Sequence, residues 1–459
     1  MKETRPFSMK DKIGYTLGDL GCCCTEQFRA MYLAIFYTLV LKVNPVHVGI
    51  LMLITKFWDA INDPLIGALV DSHKNKGKGK FIPWIKFFAF PTAVLCILGF
   101  VNVSNFAYGA RIAYMFITYI VYEIMYTCVS VPFGSLSSVM TDDVNQRTDL
   151  SRFRSLGGTI FMTVIVIAGP LFLYKDNQPV PSHFLIMSAI CAVIGLICLM
   201  FTSHWCKERI ITEPVDEKKE KLNYFQVIKD ITKNKALLGV MLSSFIGIVG
   251  AGMVNGLNTY LFRDYFGNVA IMAFSGMLSV LWSLIAFVGT KFVAKKFGKK
   301  EWIMYSATFS VVVYAILFFF PLENPMLFII INGICYLGVS GFQVLVWALV
   351  NDAIDYQELQ TGKRNEGIVY SAYTFFRKLA NAVSGSMSSF ALAIAGFQVN
   401  EAVQNEAFSG HLWKTYTGLY VVGYLLAVLV LKFIYPLTKE KTAEMLQDLA
   451  DKRNATTAE

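Results

Sequence analysis

The chain has 459 residues, 55% of them hydrophobic and only 16% charged, with a mean hydropathy of +0.51 and a formal net charge of +9. A soluble chain of this length carries about a quarter charged residues, so the composition excludes an ordinary soluble enzyme and points to an all-α integral membrane protein. The basic excess falls in loops and tail, which makes it an orientation signal, and no nucleic-acid partner is expected.

Read in chain order, the charged start Met1 to Lys12 runs straight into a long apolar segment without an Ala-x-Ala site, so no cleavable signal peptide is expected. Six membrane spans are predicted in the first half: Ile13–Val40, His47–Val70, Phe81–Val101, Ala107–Val129, Phe153–Tyr174 and His183–Phe201. The longest polar stretch follows, Cys206 to Lys235, dense in Lys and Glu, and it reads as a linker. Six more spans come after it: Ala236–Phe262, Val269–Ala294, Trp302–Phe320, Pro325–Val350, Gly367–Gly396 and Trp413–Tyr435. The expected organisation is a bundle over residues 1–205, a linker over 206–235, a second bundle over 236–436 and a tail over 437–459. Nine cysteines lie in or beside apolar runs without metal-ligand spacing, and they read as small packing residues.

The second span contains the most informative segment, Phe57-Trp58-Asp59-Ala60-Ile61-Asn62-Asp63-Pro64. Asp59 and Asp63 are four apart, so a helix stacks them on one face. An acidic side chain in mid-membrane costs roughly 2.5–3.5 kcal/mol on insertion scales, and a second like charge adds to that. A cation, or a proton on one carboxylate, relieves the repulsion, so the pair reads as a site for a transported or coupling cation. The alternative is that Asp59 pairs with a neighbouring helix.

Orientation follows from the basic residues. His73-Lys74-Asn75-Lys76-Gly77-Lys78-Gly79-Lys80 follows the second span, Lys295, Lys296, Lys299 and Lys300 follow the eighth, and Lys363 and Arg364 follow the tenth. The linker and tail are also Lys-rich, whereas the opposite connections carry little beyond Lys42 and Lys175. Both termini and the linker are therefore expected in the cytoplasm. The matching basic loops after spans two and eight suggest a duplicated six-helix unit.

A two-by-six bundle with a basic loop after its second helix resembles the major facilitator fold. Within it, Trp58-Asp59-Ala60-Ile61-Asn62-Asp63-Pro64 resembles the second helix of the glycoside–pentoside–hexuronide:cation symporters, typified by melibiose permease. Gly14-Tyr15 with Gly18-Asp19, Gly77 to Phe81 with Pro83-Trp84, and Tyr126-Thr127 with Val131-Pro132-Phe133 fall in register with it. So do Asp352-Ala353-Ile354-Asp355-Tyr356 and Gly362-Lys363-Arg364-Asn365-Glu366-Gly367, taken as the loop before the eleventh span. The resemblance runs over most of the chain.

It implies a cation site of two aspartates, the asparagine between them and a threonine of the fourth span, here Asp59, Asn62, Asp63 and Thr127. Carboxylate, amide and hydroxyl oxygens are hard ligands that suit Na⁺, Li⁺ or a proton. The family's sugar-binding residues are largely replaced: its first-span aspartate falls on Cys23 with Cys22 before it, its fourth-span aspartate on Ser130, the following tryptophan on Gly134, and a tenth-span tryptophan on Gln343. Arg154 and Lys378 are retained.

Other charges stand nearby. Glu26, Gln27 and Arg29 lie in the first span, and Glu123 in the fourth shares a face with Thr127 and Ser130. Arg29 either pairs with Glu26 or Glu123 or meets an anionic group of the substrate. Asn255, Asn258 and Tyr260, with Gln343, Trp347 and Tyr373, are candidate hydroxyl partners and aromatic platforms. Asp71, Arg147, Arg152, Asp355 and Glu366 are candidate gating residues in facing loops.

These readings combine into a secondary active transporter, with cation-coupled symport of a sugar or glycoside by alternating access; Na⁺ is preferred, with H⁺ or Li⁺ as alternatives. The alternative is an uncoupled or lipid-handling carrier of the same fold. Neither a hydrolytic arrangement nor a nucleotide-binding P-loop is present, so no enzymatic activity and no cofactor are expected. The expected partners are the sugar, a monovalent cation and membrane lipid, and the expected state is a monomer in a bacterial inner (cell) membrane.

Overall fold

The computed structural model describes residues 5–72, 79–210, 234–361, 366–401 and 404–458. The chain divides into two compact units, Met1–Lys218 with Gln398–Ala402, and Lys219–Phe397 with Val403–Glu459. Most of the expected linker, residues 211–233, lies outside the described residues, as do residues 73–78 and 362–365 of the basic loops.

The first unit holds α1 (Met9–Ile35), α2 (Pro45–Ser72), α3 (Ile82–Leu98), α4 (Tyr108–Met140), α5 (Val144–Leu173) and α6 (Pro181–Trp205). The second holds α7 (Lys235–Tyr260), α8 (Ile271–Phe297), α9 (Lys299–Phe319), α10 (Pro325–Thr361), α11 (Glu366–Ile394), α12 (Glu406–Phe433) and α13 (Lys439–Ala458). Both α1 and α7, the first helix of each half, end in a five-residue π-helical turn, Phe36–Val40 and Leu261–Tyr265. In the first unit α1 packs on α5 and α6, α3 on α4 and α6, and α2 on α4. The second unit repeats each pairing, α7 with α11 and α12, α9 with α10 and α12, and α8 with α10. That recurrence is the structural form of a duplicated six-helix unit.

Local chemistry fixes where helices begin. Asn234 and Asn405 accept from the backbone N–H of Leu237 (2.9 Å) and Phe408 (2.8 Å), which caps α7 and α12. At α3 the cap comes from a remote segment: the Glu208 carboxylate accepts from the N–H groups of Lys80 (2.6 Å), Phe81 (2.8 Å) and Ile82 (2.8 Å). An anion on three orphan donors at a helix N-terminus is favoured by both hydrogen bonding and the helix dipole. Glu208→Ala should therefore destabilise the first unit by about 1–2 kcal/mol. A lowered thermal midpoint of the solubilised protein would show it, and an unchanged midpoint would show that water replaces the carboxylate.

Helices approach closely where side chains are absent. A Cβ on Gly21 of α1 would lie 2.9 Å from the Gly195 carbonyl oxygen of α6. One on Gly157 of α5 would lie 2.5 Å from the Thr16 carbonyl oxygen of α1. Such small-residue contacts let backbones meet in lipid, where no hydrophobic force drives helices together. Outward-facing positions carry large apolar side chains such as Phe87, Phe319 and Phe433, each more than 70% exposed. Among the described residues six helices are long and apolar enough to cross a membrane by length and composition alone. Others, α1 and α2 among them, carry the ionisable residues discussed below. All nine cysteines are free, and eight are buried as packing residues.

Several elements depart from the sequence-based expectations. The fourth and tenth spans were expected to end at Val129 and Val350, but α4 runs to Met140 and α10 to Thr361. Apolar patterning marks where the bilayer ends, whereas a helix continues for as long as its polar residues are paired. Arg147 donates to the carbonyls of Thr141 (2.9 Å) and Ser138 (3.2 Å) at the end of α4. Lys299 donates to both oxygens of Asp352 (2.7 Å each) along α10. Asp352 and Asp355 consequently sit in a helix and not in a loop. The expected tail contains α13, whose Met445 and Leu449 are buried in the apolar core of the second unit. The all-α expectation also misses a two-stranded hairpin, β1 (Tyr174–Lys175) with β2 (Gln178–Pro179). It turns through Asp176 and Asn177 at φ 49° and 62°, a left-handed conformation that Asp and Asn tolerate.

Candidate functional site

The candidate cation residues lie on α2 and α4, which pack together. Spacings of three and four place Lys56, Asp59, Asn62 and Asp63 along one side of α2. The Thr127 hydroxyl of α4 donates to Asp63 Oδ1 at 3.2 Å. Asp59 pairs through Oδ2 with the Lys56 ammonium at 3.0 Å, while its Oδ1 is buried without a hydrogen-bond partner among the described residues. Asn62 is also buried, with its amide nitrogen unpartnered. The structure thus joins Asp63 to Thr127, as the sequence suggested. It gives Asp59 a partner on its own helix, where the sequence reading had allowed one on a neighbouring helix. Lys56 was missed, although its place three residues before an aspartate was a legible signal.

Arg29 of α1 is 2% exposed, and none of its three side-chain nitrogens has a hydrogen-bond partner among the described residues. Its guanidinium lies 3.4 Å from the ring centroid of Tyr122 and 4.9 Å from that of Tyr119, both on α4. Of the two alternatives read for Arg29, the hydrogen-bonded pair with Glu26 or Glu123 is not made. The aromatic faces attract the cation by about 2 kcal/mol, which does not replace the hydrogen bonds lost on burying a charge. Glu123 is buried one turn from Thr127, with Ser130 half-buried beyond it, and Glu26 is half-buried on α1.

A third group links α1 and α5. The Asp19 carboxylate accepts from Arg154 Nε at 3.0 Å and from the Gly158 N–H at 2.9 Å. Cys23 Sγ lies 3.9 Å from the same carboxylate. Cys23 stands where the family resemblance places an aspartate, and Asp19, one turn earlier, provides the carboxylate that meets Arg154. Asp19 entered the sequence reading only as part of a matching motif, and its partnership with Arg154 depends on the Gly157 contact between the helices.

In the second unit Tyr416 of α12 donates to Asn258 Oδ1 at 2.9 Å, and Asn258 donates to Asn255 at 3.3 Å, so these two amides form a small polar network on α7. Trp347 of α10 meets Tyr373 of α11 edge-on at 5.1 Å, and the Arg377 guanidinium lies 5.6 Å from the Trp347 ring. Arg377 was passed over in favour of Lys378, which is exposed, as is Gln343. Tyr260 is buried among aromatics, edge-on to Phe397. Of the gating candidates, Arg147 bonds the end of α4, Arg152 is exposed, and the side chains of Asp71 and Glu366 lie outside the described residues. Among the described residues no group of three or more His, Cys, Asp or Glu side chains is placed to hold a metal ion. Any monovalent cation on α2 would use two carboxylates with amide and hydroxyl oxygens.

Residues 14–439 match the family model described as MFS/sugar transport protein. The chain is 32% identical over 450 residues to the uncharacterized symporter YjmB of Bacillus subtilis (strain 168), covering 97% of this chain and 96% of that one. It is 28% identical over 455 residues to the isoprimeverose transporter of Lactiplantibacillus pentosus, covering 98% and 93%. Among solved structures it is similar to a D-xylose-proton symporter, with a TM-score of 0.59 at 15% identity, covering 94% of this chain and 98% of that one. That likeness shows the fold, and the fold is that of a twelve-helix, multi-pass transporter. With a bundle of six helices repeated and the family model spanning nearly its whole length, the chain belongs to the MFS/sugar transport protein family.

Proposed function

We propose that the protein carries a sugar or glycoside across the cell membrane by cation-coupled symport with alternating access. One observation carries the cation half of this reading: Asp59 keeps a buried carboxylate oxygen without a hydrogen-bond partner among the described residues, one turn from the Asp63–Thr127 contact. A buried, unpaired carboxylate oxygen is costly, and a bound cation offsets that cost. Thr127 gives its hydroxyl hydrogen to Asp63, which leaves its oxygen lone pairs directed elsewhere and available to a metal cation. A bare proton site needs neither that oxygen nor the Asn62 amide, so Na⁺ is the preferred coupling ion over H⁺ and Li⁺.

Binding of the cation and of the sugar then strengthen each other by the same factor. The sugar half rests on the polar groups around Arg29 and on the Asp19–Arg154 pair, with the Asn255–Asn258 and Trp347–Tyr373–Arg377 groups as further partners. The basic loops support a cytoplasmic position for both termini, and the working unit is taken as a monomer in lipid.

Uptake of labelled glycosides into membrane vesicles under imposed gradients tests the coupling. A Na⁺ gradient should drive accumulation. A response to a pH gradient alone, with none to Na⁺ or Li⁺, would move the assignment to protons. Equilibration without accumulation under every gradient would favour an uncoupled carrier, a reading that the Lys56–Asp59 ion pair supports, because an ammonium already neutralises one carboxylate.

A further inference from the structure

We infer that Tyr416 is a positioning residue for sugar recognition: through Asn258 it fixes the amide of Asn255 so that an N–H donor, and not a carbonyl, meets the sugar. The inference rests on the sugar-carrier reading above and adds what one part of the site asks of its substrate, an oxygen that accepts a hydrogen bond. Three side chains form the relay. Tyr416 of α12 donates to Asn258 Oδ1 at 2.9 Å, and Asn258 Nδ2 donates to Asn255 Oδ1 at 3.3 Å. Asn255 and Asn258 are three apart on α7 and so share a face.

The direction of the relay follows from burial. Tyr416 is 1% exposed, with its ring edge-on to Phe328 at 5.8 Å and tilted against Tyr420 at 5.9 Å. Asn258 is the one hydrogen-bond partner of its hydroxyl among the described residues. A buried hydroxyl hydrogen without an acceptor costs more than a carbonyl with one lone pair unused, so Tyr416 donates and Asn258 turns its oxygen towards it. The amino group of Asn258 is then left to face Asn255, which answers with its own oxygen, because an amide has one acceptor end and one donor end. Each step leaves a single choice for the next. The relay ends in the Asn255 amino group, which has no hydrogen-bond partner among the described residues and belongs to an exposed side chain. Lipid offers an amide no partner, so an exposed asparagine within a membrane-crossing helix belongs on a wet face. The free donor is what that face offers to a sugar oxygen. Its polarity is set by a tyrosine on another helix, and no charge has to be buried to set it.

The test is calorimetric binding to the purified, full-length protein in NaCl without any gradient. The probes are D-glucose, D-galactose, D-xylose and D-glucuronic acid, each with its monodeoxy and monofluoro derivatives. A fluorine accepts a hydrogen bond and donates none. At the sugar position that meets Asn255, the wild type should bind the fluoro derivative about fivefold more tightly than the deoxy one. Tyr416→Phe keeps the ring packing and the thermal midpoint but releases the relay, so that advantage should shrink below about twofold. Asn258→Asp reverses the relay: the new carboxylate accepts from both Tyr416 and Asn255, and Asn255 turns its carbonyl outward. The fluoro derivative should then bind no better than the deoxy one, while the parent sugar is still bound. This variant decides the matter if Tyr416→Phe does not fold. No such advantage at any position in the wild type would overturn the relay and leave the sugar reading in place. So would an advantage unchanged in Asn258→Asp or in a folded Tyr416→Phe. Binding of none of these sugars by the wild type would overturn both.

Discussion

Asp63→Cys abolishes cation-driven accumulation while leaving folded protein in the membrane: that is the largest effect expected of any single substitution. Asp63 is bonded to Thr127 across the α2–α4 contact, so in the proposed cation site its loss would remove a carboxylate ligand and the hydrogen bond that orients the hydroxyl. The core of the first unit, built on residues such as Phe133, Leu136 and Ile85, does not include Asp63, so the fold should survive. Sugar binding without a cation gradient should persist in weakened form, because by linkage the cation contributes to sugar affinity only when it is bound. Uptake into vesicles at imposed Na⁺ and pH gradients reads the effect, and undiminished accumulation by the variant would remove Asp63 from the cation site.

The second large effect belongs to Arg29. A guanidinium buried to 2% exposure, with none of its three nitrogens hydrogen-bonded among the described residues and the Tyr119 and Tyr122 faces against it, is poised for an acceptor. A sugar hydroxyl or, better, a sugar carboxylate would satisfy it through a charge-assisted hydrogen bond worth roughly 1.5–3 kcal/mol. Arg29→Gln should therefore weaken sugar affinity by about ten- to a hundredfold and leave the cation midpoint nearly unchanged. Because Arg29 pairs with neither Glu26 nor Glu123, neutralising Glu123 as well should not restore binding. Full rescue by the double variant would make Arg29 a charge-balancing residue and move sugar recognition to Asn255, Asn258 and Gln343.

The sequence revealed the parts of this molecule that follow from period and polarity. Twelve apolar runs mark the membrane helices, and the spacing of Asp59 and Asp63 marks one face of α2. It could not show which oxygen of Asp59 is engaged, since that depends on the Lys56 rotamer. Lys56 itself was within reach of the three-residue rule and was overshadowed by the acidic motif beside it. Asp19 escaped for a different reason: its role depends on the Gly157 contact, which brings α5 against α1 and carries Arg154 with it. Cys23 stands at the family's carboxylate position, while the carboxylate that meets Arg154 lies one turn earlier at Asp19. Helix ends were misjudged at α4 and α10 because hydropathy falls at the membrane surface while Arg147 and Lys299 keep the helices going beyond it.

The central claim is that sugar and cation move together, and the most direct test is to let the sugar do the driving. De-energised vesicles carrying the protein are given an inward sugar gradient from a panel of neutral and acidic glycosides, while ion-selective electrodes follow external Na⁺, Li⁺ and H⁺. The account predicts that a transported sugar draws a cation, Na⁺ foremost, into the vesicles, and that Asp63→Cys stops the ion movement. Sugar entry with no accompanying movement of any of the three ions would contradict it.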